Sequence, residues 1–174
     1  MIAGRLSLAL AASFLTLATG YGAVSDIAPQ SSPGMPDLAL ARSDYIENCG
    51  GCHGVSGSTA PARVPELRGR VGYFLCTPET RAYLLRLPNV AHSRIRDNQQ
   101  LAELMNYVVY VLGAKSIPPG RAEPFTGEEV ARERLQALNS TNLTQERARN
   151  VAIVMKQCHA PASLREFYDR PALK

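Results

Sequence analysis

Apolar side chains recur every three or four positions through most of this chain, the spacing of helices that bury one face. From Asp37 onward, Leu38, Ala41, Tyr45 and Ile46 share a face, so a helix is expected to begin there and run into the stretch YIENCGGCHG. Positions 54–72 are dense in Gly, Pro, Ser and Thr and read as loop. Over 78–87, a leading Pro78, an acid in the first turn and Arg86 near the end predict a short helix stopped by Pro88. The strongest pattern covers 97–112. Asp97 is its N-cap, Leu101, Leu104, Met105, Val108 and Leu112 line its face, and Gly113 ends it. The segment SIPPGRAEP, 116–124, is a linker. Beyond it Thr126 and Glu129 form a capping box, and 145–157 is a second amphipathic stretch. The expected class is all-α, with no internal repeat.

The N-terminus follows another pattern. A single basic residue, Arg5, precedes an uncharged run from Leu6 to about Ala18 and then small residues, the layout of a secretory signal peptide. With 174 residues there is room for one compact domain and an appendage. The expected organisation is a signal peptide over 1–23, cleaved somewhere between 20 and 28, then a flexible leader over 24–36. A domain over 37–113 follows, with a C-terminal extension over 114–174 holding one or two helices. The rival reading of the N-terminus is an uncleaved anchor, because 6–24 is long enough to cross a bilayer. The expected location is the periplasm, free or membrane-anchored.

Loss of Arg5 would leave 18 basic residues against 15 acidic ones, a mild excess. Its distribution is uneven. Arg63, Arg68, Arg70, Arg81, Arg86, Arg94 and Arg96 fall in one segment with only Glu66 and Glu79 as acids, a candidate face for docking an acidic protein. The alternative is a set of solvated arginines on unrelated faces. Export disfavours a nucleic-acid partner.

Cys49-Gly50-Gly51-Cys52-His53 matches the C-x-x-C-H arrangement of covalent haem attachment. Two thiols three residues apart on a turning backbone reach the two vinyl groups of neighbouring pyrroles, and the adjacent histidine swings under the ring to bind iron. Gly50 and Gly51 keep the enclosed backbone free of side chains. A thioredoxin-like dithiol would need a strand before the motif, and the flanks are helical. A zinc site would need a second ligand pair, and Cys76, His92, Cys158 and His159 supply no matching close pair within the domain over 37–113.

Over 37–113 the chain resembles a class I c-type cytochrome. The resemblance rests on an N-terminal helix ending in the haem motif, Tyr45 four residues before Cys49, VPELRG at 64–69 and a last helix containing Tyr107. It implies a cytochrome c-like helical domain around one covalent haem c per chain, with the first and last helices crossing. It also implies that His53 is the proximal iron ligand and that the carbonyl of Pro65 accepts a hydrogen bond from it. That bond would fix the imidazole and strengthen it as a donor. The pattern departs at the sixth ligand. Family members usually supply a Met before the last helix, and none lies between Met35 and Met105. Met105 reads as core packing, and His92 is the candidate distal ligand. A vacant or water-filled position, or some other ligand, are the competing readings. Imidazole in place of a thioether lowers the reduction potential.

Cys76 and Cys158 remain, as a disulfide or as two buried thiols. MKQCH, 155–159, looks like a haem motif with Met for its first Cys and reads as coincidence. Three functions follow. The first is a carrier of single electrons between a dehydrogenase and a respiratory acceptor, not itself an enzyme. The second is an open-site haem protein that binds or reduces a small ligand, with Arg94 steadying the developing charge. In the third, the cytochrome is a dehydrogenase subunit gripped through its tail.

Overall fold

The computed structural model describes residues 32–58, 64–120 and 123–167, and the expected signal segment and cleavage region lie outside them. The described chain is all-α. Its helices are α1 Leu38–Asn48, α2 Gly50–His53, α3 Pro78–Arg86, α4 Pro88–Ala91, α5 Asn98–Asn106, α6 Gly127–Arg134 and α7 Leu143–Cys158. Three-ten turns occupy Val71–Cys76, Ala114–Ser116 and Ala162–Arg165, and the one β feature among the described residues is the isolated Ser32–Met35 bridge.

The helix starts follow from short polar side chains at the N-cap. Asp37, Thr77, Asp97 and Thr126 each accept the backbone N–H three residues on, satisfying a donor that the first turn leaves without a partner. The expected capping box at Thr126 is half formed. Thr126 Oγ1 accepts from Glu129 N, but the Glu129 carboxylate takes a bidentate bond from Arg81 at 2.6 and 2.7 Å. Pro88 stops α3 as expected and then opens α4, its fixed φ being suited to a first helical position.

Helix α1 packs on α5 and on the π-helical turns Tyr107–Leu112 that continue it, with the Tyr45 and Tyr107 rings 5.5 Å apart. Gly113 ends that segment for a reason other than a left-handed cap. Its φ is −82°, and an added Cβ would lie 2.7 Å from both Gly72 N and Val109 O. The backbone of the 71–76 turn crosses there at a distance that only glycine permits. Gly72 N donates to Ser116 Oγ at 2.9 Å across the same contact.

The end of the leader departs from expectation. The leader was expected to be flexible to residue 36, yet Met35 is 1% exposed and sits in the core, and Gly34 O accepts from Asn106 Nδ2 at 3.0 Å. An apolar side chain of that size repays its ordering by burial. Ser116, at the start of the linker, and Phe125, just after its end, are also buried, each 2% exposed.

The extension packs on the domain. Helix α6 lies on α3 and α5, α7 lies on α3 and the 71–76 turn, and Val130 and Val154 are fully buried. Cys76 and Cys158 are joined as a disulfide with Cα atoms 6.1 Å apart, which decides between the two readings of that pair. Among the described residues no helix is long and apolar enough to cross a membrane.

Two ion pairs sew α3 to α6, Arg81 to Glu129 and Arg86 to Glu133. Burial pushes the Glu133 carboxyl up, but bonds from Arg86 and Arg132 outweigh it and hold the group below the usual carboxylate range. A carboxyl depressed by folding contributes stability above its unfolded pKa, near 4.3, and loses it as pH falls through the folded value. Glu133→Gln is therefore expected to lessen the loss of thermal stability between about pH 5 and pH 3. Parallel acid limbs for variant and parent would remove Glu133 from that account.

Candidate functional site

Cys49 closes α1 and opens α2. Its N–H donates to Tyr45 O at 2.8 Å, while Cys52 N–H and His53 N–H donate back to Cys49 O at 3.1 and 2.9 Å. This winding carries Cys49, Cys52 and His53 around one turn, and Gly54 then leaves it at φ 73°, in the left-handed region. Tyr45 Oη pins the exit by donating to Gly54 O at 2.7 Å. Gly50 and Gly51 are not demanded by the surrounding protein. A Cβ on Gly50 would meet neighbours no closer than 3.8 Å, and on Gly51 nothing within 4 Å.

Cys49 and Cys52 are free thiols. Burial, and then the neighbouring Cys52, push Cys49 up to about 11, so it stays protonated near neutral pH. His53 Nδ1 lies 3.0 Å from Pro65 O. A carbonyl only accepts, so Nδ1 carries the proton and Nε2 keeps its lone pair. Burial lowers the imidazole below its usual range against the opposing effect of the Pro65 bond, and the ring is neutral at pH 7.

The loop that presents Pro65 is itself tied down. Leu67 N and Arg68 N donate to Gly57 O at 2.9 and 3.0 Å, and Gly69 N donates to Leu112 O at 2.8 Å. Glu66 N donates to Phe167 O at 2.7 Å, so the C-terminal segment braces the loop from the other side.

Cys49, Cys52, His53 and Pro65 line one cavity of about 400 Å³, a size ordinary for a buried small-molecule site. Its walls are mainly apolar, with Phe74, Leu84, Leu101 and Val108 among them, and Met105 lines it as part of the core. His92, the expected distal ligand, does not join these residues. It caps α4, donates its N–H to Pro88 O at 2.9 Å, is exposed and lies outside the cavity lining, although Ser93 next to it is inside. Arg94 is also exposed and outside. In MKQCH the Cys158 sulfur is held in the disulfide, consistent with coincidence.

Sequence reasoning missed Tyr83, Arg70 and Arg147, all buried and all on the cavity wall, together with Leu143, Leu164 and Phe167 from the extension. The signal that could have found α7 was the leftover cysteine pair, which, taken as joined, lays the helix beside Cys76. Of the seven arginines in the basic segment, Arg70, Arg81 and Arg86 make intramolecular contacts, Arg68 is exposed but donates from Nε to Ser56 O at 2.7 Å, Arg94 and Arg96 are exposed, and Arg63 lies outside the described residues. Among the described residues, no three His, Cys, Asp or Glu side chains gather as a metal cage. No family model, curated protein or solved structure matches this chain.

Proposed function

We propose that this protein is a periplasmic c-type cytochrome that holds one haem covalently and carries single electrons between a dehydrogenase and a respiratory acceptor. The observation that carries this reading is the 3.0 Å contact between His53 Nδ1 and Pro65 O, on the wall of an apolar cavity that both motif thiols also line. The residues present fit the group. Cys49 and Cys52 would hold the group through thioether bonds, each thiol adding across a vinyl so that sulfur takes one carbon and the proton the other. His53 Nε2 would be the iron ligand, and the Pro65 carbonyl would hold the ring's orientation and raise its donor strength. Bound haem supplies reversible one-electron chemistry at its iron. The protein excludes water with its apolar walls and offers exposed Arg68, Arg94 and Arg96 to an acidic partner.

The mature chain, made in a host that attaches haem, is expected to keep its haem through denaturing electrophoresis. Cys49→Ser combined with Cys52→Ser is expected to lose it, and His53→Ala to keep it with an altered visible spectrum. A wild-type chain without denaturant-resistant haem sinks the reading.

The exposed position of His92 favours a second reading, a haem protein with an exchangeable iron position that binds or reduces a small ligand. Reduced protein that ignores carbon monoxide supports the carrier, and immediate uptake supports the ligand-binding protein.

A further inference from the structure

The cavity wall contributed by the extension is charged. Arg147, on α7, is 7% exposed and lines the cavity, and Tyr83, on α3, is 8% exposed and lines it too. Arg147 Nη2 donates to Leu164 O at 2.8 Å and Glu166 O at 3.3 Å, and Nη1 donates to Arg165 O at 3.4 Å. Its guanidinium also stands 5.2 Å from the Phe167 ring centroid. A guanidinium carries five N–H donors. Nε–H and one Nη1–H therefore keep no protein acceptor among the described residues, and the Tyr83 hydroxyl makes no hydrogen bond among them either.

Charge points the same way. Two arginines, Arg70 and Arg147, line the cavity against one carboxylate residue, Glu66. The groups acting on Arg147 are Tyr83 and Arg70, and no carboxylate pairs with it among the described residues. A buried guanidinium whose acceptors are all backbone carbonyls lacks the counter-charge that buried cations usually have.

We infer that Arg147 and Tyr83 form an anion-binding corner of the cavity, suited to a carboxylate or another small oxyanion, with the C-terminal segment supplying the cation. Two sources share that chemistry. One is the carboxylates of the haem itself, which rests on the cytochrome reading, and the other is a free anion entering beside it. In either case the extension is a working wall of the site.

The test uses the full mature chain, haem-loaded, with Tyr83→Phe and Arg147→Gln. Tyr83→Phe keeps the ring stacked on Phe74, at 5.6 Å between centroids, and breaks no hydrogen bond among the described residues, so it carries the test if Arg147→Gln does not fold. Sodium formate is titrated by calorimetry, and the reduction potential is followed against pH. Formate binding to wild type that weakens about tenfold or more in the variants assigns the corner to a free anion. If wild type ignores formate while the inflection of the potential against pH moves upward by about 1–3 units in the variants, the corner holds the haem carboxylates. Absence of both effects overturns the inference and leaves Arg147 as a clamp on residues 164–166. A chain that proves to carry no covalent haem fails the cytochrome reading separately, and formate calorimetry on that chain alone then decides the anion site.

Discussion

Cys158→Ser is expected to lower the unfolding free energy by about 4.5 kcal/mol. The bridge to Cys76 spans 82 positions. Removing a cross-link of that span returns a large amount of conformational freedom to the unfolded chain, and loops of this size correspond to about 4–5 kcal/mol. The folded state changes little, because Cys76 is fully buried within a packed cluster that includes Phe74, Leu84 and Val154. Denaturant unfolding of wild type and variant, each with and without reductant, measures the effect. Wild type under reductant should fall to the variant's midpoint, and the variant should not respond to reductant. Equal midpoints for oxidised wild type and variant would mean that the bridge constrains nothing.

Asn106→Leu is expected to cost about 3–5 kcal/mol. Its side chain is fully buried and makes three hydrogen bonds. Nδ2 donates to Gly34 O and Phe125 O, each at 3.0 Å, and Oδ1 accepts from Phe125 N at 2.7 Å. Leucine has a similar volume and no polar atoms, so it strands one buried donor and two buried acceptors, each costing about 1–3 kcal/mol. Equal stability of Asn106→Leu and wild type would sink the claim that this amide holds both ends of the fold. Hydrogen exchange at Phe125 N–H gives a local check, because that amide should exchange much faster in the leucine variant.

How far the chain could be read depended on the range of the physics involved. Helix starts at Asp37, Thr77, Asp97 and Thr126 and the bend at Cys49–His53 are set within a few residues, so composition and spacing expose them. The same holds for the His53–Pro65 contact, only because the family resemblance supplied a distance of twelve residues that spacing alone does not. Contacts closed by long loops left no local mark. Arg147 donates to Leu164 O and shares a cavity with His53, and nothing in the pattern of α7 distinguishes it from a surface cation. Arginines 70, 81 and 86 were read as part of a basic face because one-dimensional counting sees charge and not the carbonyl or carboxylate that receives it. His92 caps α4 and is exposed, outside the cavity lining. A single residue of phase in a short turn such as α4 decides whether a side chain faces a cavity or the solvent, and Ser93 holds the inward position.

Chain order gives the C-terminal wall a place in time as well as in space. A polypeptide is made from its N-terminus, and segments become available to fold in that order. Cys49, Cys52 and His53 are present, with the Pro65 loop soon after them, long before α7 and residues 164–167 exist to line the cavity. Throughout that interval the cavity lacks the wall that Leu143, Arg147 and Leu164 later supply. Pairing of Cys158 with Cys76 then fixes α7 beside the 71–76 turn.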